Sequence, residues 1–210
     1  MPASKSCEKE FVYLGHRQYV QGASMSWGLI EMVKHWSLGT IEKIQMNFHS
    51  PLTEHGIYDL YPIDEKPHLS GKGYNTIFRL SCDTGTYVVG LKGNGNHVLT
   101  AQPCDEDRLV EGYQFFEAAK SAVLKLQPKS SLLNVLIALN KKLVNEFFPA
   151  EGYGQWVLSR YELAWKLAHK SHSDILEVKI AGNIGLGHTH STIKLGGASI
   201  GSIYFSRNQL

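Results

Sequence analysis

The run Ser24-Met25-Ser26-Trp27-Gly28-Leu29-Ile30-Glu31-Met32-Val33-Lys34-His35-Trp36 constrains the fold more than any other stretch of the chain. Met25, Leu29, Ile30, Val33 and Trp36 recur at helical spacing, and Trp27 and Met32 widen the apolar arc to nearly the whole circumference. A surface helix keeps a polar face, so a helix apolar almost all round must be covered on most sides. Ser24 suits its start and Gly39 its end. With 210 residues the chain can build that cover, as one large domain or two small ones.

The residues after the helix read as strand. In 41–49, Ile44, Met46 and Phe48 alternate with polar residues, and 56–63, 74–82 and 87–91 are further strand candidates. Asp83-Thr84-Gly85 is a hairpin turn between the last two. A β-like run at 11–20 precedes the helix. The second half repeats the order. Ser131 caps a helix expected to reach about Phe148, carrying Leu132, Leu133, Leu136, Leu139, Leu143 and Phe147 and stopped by Pro149. Strand candidates 156–165, 175–181, 189–195 and 198–205 come next, the last two joined at Gly196-Gly197. The chain therefore reads as a disordered segment 1–10, a first unit 11–104, a connecting amphipathic helix within 105–130, and a second unit 131–210. The connector's apolar side would carry Leu109, Val110, Tyr113, Phe116 and Val123.

Composition excludes several classes. Hydrophobic residues make up 43% and charged residues 19%, the balance of a globular chain. Net charge is +2 with no stripe of Lys and Arg, so no nucleic-acid partner is expected. No segment approaches the roughly 18 apolar residues of a membrane helix, and the N-terminal residues lack a signal peptide's apolar core. The expected place is the cytoplasm, with no membrane partner. Cys7, Cys82 and Cys104 are odd in number and widely spaced, as in a reducing compartment. The glycine-rich stretch 90–96 lacks a G-K-[ST] ending, and no G-x-S-x-G elbow occurs, so no cofactor is expected.

One apolar helix followed by four antiparallel strands, met twice, resembles the hot-dog superfamily of hydroxyacyl dehydratases and acyl thioesterases. Three features carry the resemblance: Gly15-His16 through Gly22 to Glu31, similar to the Gly-His…Gly…Glu run of the dehydratases; the paired strands of 175–197; and the closing hairpin at Gly196-Gly197. Two departures stand out. No proline follows His16 within that run, and its spacing to Glu31 is one residue longer. The resemblance implies an α+β double hot dog, two curved antiparallel sheets each wrapping a long apolar helix. It implies an acyl-CoA or acyl-carrier-protein substrate, and a monomeric pseudo-dimer or a homodimer. A fainter likeness, at Gln18, Gly22, Leu29 and His35-Trp36, is to the double-hot-dog acyltransferase/decarboxylases of polyketide pathways.

Several groups are candidates for the chemistry. Backbone N–H groups around Gly22 and Ala23 at a helix start could polarise a thioester carbonyl. His16 and Glu31 form a candidate His/carboxylate pair, serving dehydration or hydrolysis. Trp27, with Met25, Met46 and Phe48, would line an acyl tunnel. In the second unit Asn134 and Asn140 interrupt an apolar helix, and Thr189 and Ser191 could hydrogen-bond the thioester or the pantetheine amide. No metal is required. If one binds, His188 and His190 share a strand face, with His49, His55, His169 or His172 as further ligands. Lys125, Lys129, Lys141 and Lys142 could attract a carrier or the phosphates of coenzyme A. The competing readings are a catalytically silent acyl-binding module and a His-metal enzyme.

Overall fold

The computed structural model describes residues 4–65, 69, 73–127, 130–149, 155–170, 175–184 and 187–208. The chain divides into two compact units, Met1–Cys104 and Asp105–Leu210. Each is mostly antiparallel sheet with few helices, the composition a hot-dog fold requires.

The first unit runs β1 (Lys5–Lys9), β2 (Tyr13–Leu14), α1 (Gly22–His35), β3 (Ile41–Phe48), β4 (Glu54–Pro62), a 3-10 turn (Ile63–Glu65), β5 (Thr76–Cys82), β6 (Gly85–His97) and β7 (Ala101–Gln102). Its sheet order is β1-β4-β6-β5-β3, while β2 pairs in parallel with β7. Two expectations are corrected here. The segment 1–10 is not disordered over its described part: Lys5 to Lys9 pair with Leu60 to Gly56, and Ser6 Oγ donates to Asp59 Oδ1 at 2.6 Å. That strand covers the exposed edge of β4, whose unpaired backbone groups would otherwise be a liability. Its own side chains are mostly exposed and show no apolar alternation to read. The run 11–20 contributes only the two residues of β2, then turns at Gly15, whose φ is 67°.

Helix α1 starts at Gly22 with Gln21 as N-cap, ahead of the expected Ser24, and Trp36 closes it. Its exposed residues are Trp27, Glu31, Lys34 and His35, Gly22 and Ser24 are half-buried, and the rest are buried. The sheet face toward it carries Ile44, Met46, Tyr58, Leu60, Phe78, Val89 and Leu91, all at most 2% exposed. Register keeps these together, since Met46 faces Phe78, Phe78 faces Val89 and Tyr58 faces Leu91. Tyr58 spans the contact by donating its hydroxyl to the Met25 carbonyl at 2.6 Å.

The second unit runs α2 (Glu106–Leu109), β8 (Gln114–Phe116), β9 (Ser121–Lys125), α3 (Leu132–Phe147), β10 (Gln155–Leu163), α4 (Trp165–Lys170), β11 (Ile175–Ile184), β12 (His188–Leu195) and β13 (Ala198–Asn208). Its sheet order is β10-β13-β12-β11-β9-β8. The expected connecting helix is not formed. Asp105 caps only the short α2, Gly112 adopts a φ of 80°, and β9 pairs with β11, burying Ala122 and Leu124. Pairing along β11 satisfies more backbone and buries more apolar surface than a lone surface helix would.

The halves repeat the order of elements along the chain but not the order of strands in the sheet. In the second unit β11, β12 and β13 are successive neighbours. In the first, β6 lies between β4 and β5, which the connection 63–75 separates.

Gly28 tests the packing of α1. A Cβ there would lie 2.6 Å from the Tyr58 hydroxyl. Alanine normally favours a helix over glycine by about 1 kcal/mol, but here it must displace the Tyr58–Met25 bond. Gly28→Ala should lower stability by about 1–2 kcal/mol in urea unfolding. In a Tyr58→Phe background the same change should become neutral or stabilising.

Candidate functional site

At the entrance to α1, Gln21 makes no side-chain capping bond and the first turn holds no acidic residue. By contrast, Ser131 Oγ accepts from the Asn134 N–H at the start of α3. Gly22 is half-buried and Ala23 buried, while Gln21 is held by a bond from its Nε2 to the Leu14 carbonyl at 3.3 Å. The first-turn amides of α1 are thus available to an acceptor and carry the helix's partial positive charge. His16 is exposed in the turn that precedes them.

Glu31 sits nine residues into α1, about 13 Å along its axis. It is exposed, and its carboxylate accepts from Lys9 Nζ at 2.5 Å. His16 and Glu31 therefore do not share the helix entrance. Trp27, 37% exposed, lies on the same outer stripe as Glu31, whereas Met25 and Met46 are fully buried and Phe48 half-buried. Thr76 Oγ1 donates to Met25 Sδ at 3.2 Å, so Met25 is locked into the core.

In the second unit Thr189, His190 and Ser191 lie on three successive rungs of β12. Thr189 pairs with Phe205, His190 with Tyr204 and Ser191 with Ile203. Both outer neighbours bulge at this level: β11 between Ile180 and Gly182, opposite Ser191 and His190, and β10 between Leu158 and Arg160, opposite Phe205 and Tyr204. Bulges bend a strand and re-aim its side chains, and they concentrate beside functional sites. On one face the His190 and Tyr204 rings stack at 4.5 Å, 9° from parallel, with the Arg160 guanidinium 5.2 Å from the Tyr204 centroid. On the other, Thr189 and Ser191 are 2% and 0% exposed. Their hydroxyls have no hydrogen-bond partner among the described residues. Asn134 is half-buried, and one and a half turns further along α3 lies Asn140, fully buried.

His188 is exposed on the face His190 shares. His55 Nδ1 accepts from the Phe11 N–H at 2.9 Å and His49 is exposed. Among the described residues no group of three or more His, Cys, Asp or Glu side chains comes together to hold a metal ion. His172, Lys129 and the residues 185–186 just before His188 lie outside the described residues, as does the side chain of His169. Lys141 and Lys142 are engaged by Glu106 and Asp107 of α2. Lys125 and Arg108 line a cavity of about 270 Å³ together with Glu111, Leu124 and Val135.

A network not read from the sequence lies on the face of the first sheet away from α1. Asp59, 5% exposed, accepts from Ser6 Oγ at 2.6 Å, Tyr74 OH at 2.8 Å and Lys92 Nζ at 2.8 Å. The Tyr74 hydroxyl also hydrogen-bonds with that of Tyr61 at 2.8 Å. The Tyr74 ring lies over Gly90, where any side chain would collide with it. Burial pushes the Asp59 carboxyl up, but the bonds from Lys92, Ser6 and Tyr74 outweigh it and hold the group below its ordinary value. Burial, with its bonds to Tyr61 and Asp59, drives the Tyr74 phenol far above its ordinary value, so it stays protonated. The signal was present as a lone carboxylate in an apolar strand, between Tyr58 and Leu60.

No family model matches the chain, and no curated protein matches it. Among solved structures it is similar to the dehydratase domain of PpsC from Mycobacterium tuberculosis, solved in complex with C12:1-CoA. Identity is 10% over 97% of this chain and 92% of that one, with a TM-score of 0.49. It is also similar to an acyl-ACP thioesterase from Bacteroides thetaiotaomicron, at 11% identity over 97% and 96%, with a TM-score of 0.45. Both kinds of protein are hot-dog fold members. Among the described residues no helix is long and apolar enough to cross a membrane.

The Asp59 network makes a pH prediction. A carboxyl held below its ordinary value stabilises the fold above its unfolded pKa, and that stability is lost as pH falls through the folded value. Asp59→Asn should cost about 1–3 kcal/mol at pH 7. It should also flatten the loss of stability below about pH 4 relative to wild type, as read by urea unfolding across a pH series.

Proposed function

We propose that the chain is a double hot dog that processes an acyl thioester, carried by coenzyme A or a carrier protein in the cytoplasm. The observation that supports this most is the uncapped start of the buried helix α1, with half-buried Gly22 at its first position and His16 in the turn before it. A thioester carbonyl placed there accepts from the Gly22 and Ala23 amides, and the negative charge that develops on its oxygen meets the positive end of the helix. Gly22 lets the substrate approach the backbone closely.

His16 then acts as the base. In hydrolysis its neutral imidazole takes a proton from the water that attacks the carbonyl, and returns it to the departing thiolate. In dehydration it takes the proton from the carbon next to the carbonyl. A double bond forms as the hydroxyl on the following carbon leaves as water, taking that same proton back from the His16 imidazolium. Glu31, exposed and bound by Lys9, is placed outside this step. Arg108 and Lys125, which line the cavity in the second unit beside Glu111, give it a net positive charge that suits the phosphates of coenzyme A or of a carrier's prosthetic group. A second reading, a binding module without turnover, is favoured by that same Lys9–Glu31 pair, which leaves His16 without the carboxylate a dehydratase would give it.

The test compares wild type with His16→Ala on a panel of acyl-CoAs that includes 3-hydroxyacyl and malonyl members, following thiol release, enoyl absorbance and decarboxylation. Turnover should fall by about 100-fold or more with the melting temperature unchanged, since His16 is exposed. An active variant removes His16 from the chemistry. Binding without turnover by the wild type gives the second reading the lead.

A further inference from the structure

The core of the second unit contains a polar anomaly that the chemistry at α1 does not use. Asn140 is 0% exposed, Ser191 0% and Thr189 2%. Four of their side-chain atoms, Asn140 Nδ2 and Oδ1, Ser191 Oγ and Thr189 Oγ1, have no hydrogen-bond partner among the described residues. Buried polar atoms are nearly always paired, and leaving one bare costs about 1–3 kcal/mol. Four together in one core are hard to sustain unless something pairs them.

The topology brings these groups to the same layer. Thr189 and Ser191 share their face of β12 with buried Ile193 and Leu195, and register sets Ser191 beside Ile180 and Ile203, both buried. Helix α3 packs on β10, β11 and β9, and β13 and β12 lie between β10 and β11 in the sheet. The helix therefore passes over β12, the strand that carries Ser191 and Thr189. Asn140 lies on its buried side with Leu133, Leu136, Ile137 and Val144 at helical spacing. The bulges in β10 and β11 flank the His190–Tyr204 rung, which lies between those of Thr189 and Ser191.

The chemistry of these atoms defines what they would bind. Two hydroxyls and one amide both donate and accept, and none carries charge, so an ionised carboxylate or phosphate would find no cation here and would lose its hydration. The complement is a neutral oxygen function on an otherwise apolar molecule. We propose that the second unit encloses, between α3 and β12, an internal site for an uncharged hydrogen-bonding group. Resting on the acyl-thioester reading, the substrate is then an acyl chain bearing a hydroxyl or keto oxygen, held by Asn140, Thr189 and Ser191.

Two measurements decide it. The first is the melting temperature of the ligand-free Thr189→Val and Ser191→Ala variants. Polar atoms that wait for a ligand give unchanged or raised values, whereas hydroxyls already satisfied inside the protein give a fall of several degrees, which overturns the site. The second is the affinity of wild type and both variants for decanoyl-CoA and for hydroxydecanoyl-CoA isomers with the hydroxyl walked along the chain. At least one isomer should bind wild type ten-fold or more tighter than decanoyl-CoA. The variants should lose that preference while keeping their affinity for decanoyl-CoA. Equal binding of all isomers to wild type overturns the substrate assignment, leaving ordered water as the occupant. If no acyl-CoA binds at all, the acyl-thioester reading fails and takes the assignment with it, while the melting temperatures still decide whether the site exists.

Discussion

Burying a helix that has almost no polar face is the requirement on which the rest of each unit depends. Helix α1 exposes only Trp27, Glu31, Lys34 and His35, and α3 is buried from Leu133 to Val144 with few interruptions. Only a sheet offers one continuous apolar face broad enough for such a helix, and the alternation of strand side chains supplies that face at every second residue. The Tyr58–Met25 bond, the absence of a side chain at Gly28 and the Met25–Thr76 contact are local consequences of seating the helix closely.

The same requirement makes the polar exceptions informative. In the first unit a buried carboxylate, Asp59, is fully answered by Ser6, Tyr74 and Lys92, and it ties the edge strand β1 and the residues around Tyr74 to the sheet. In the second unit Asn140, Thr189 and Ser191 are not answered by any described residue. A satisfied network holds structure together, while an unsatisfied one of neutral groups points to something that arrives from outside. At the start of α1 the exception is of a third kind: first-turn backbone amides that neither Gln21 nor an acidic first-turn residue caps.

Local pattern was enough for the two helices, most of the strands and the hairpins at Asp83-Thr84 and Gly196-Gly197, because period and turn chemistry are properties of neighbouring residues. It failed where pairing partners lie far away in the chain. Residues 5–9 look like a polar tail and become a strand because β4 offers an edge. Residues 121–125 carry a helical apolar pattern and become a strand because β11 does. The placing of β6 between β4 and β5 has no local signal, since β6 pairs with β4 although β5 lies between them in the chain.

For the candidate sites the division is similar. The sequence by itself determined which residues could carry chemistry: a histidine and a glycine ahead of an apolar helix, amides within a second helix, and hydroxyls alternating with histidines on a strand. It also determined that Thr189 and Ser191 share one face and His188 and His190 the other, because a strand's period is two. Only the tertiary structure decided which face is buried, that Glu31 looks outward to Lys9 rather than toward His16, that Asp59 collects three donors, and that the bulges of two strands meet at the His190–Tyr204 rung. The reason is physical: burial, ion pairing and register between distant strands are set by which surfaces the whole chain brings together, and no window of neighbouring residues contains that information.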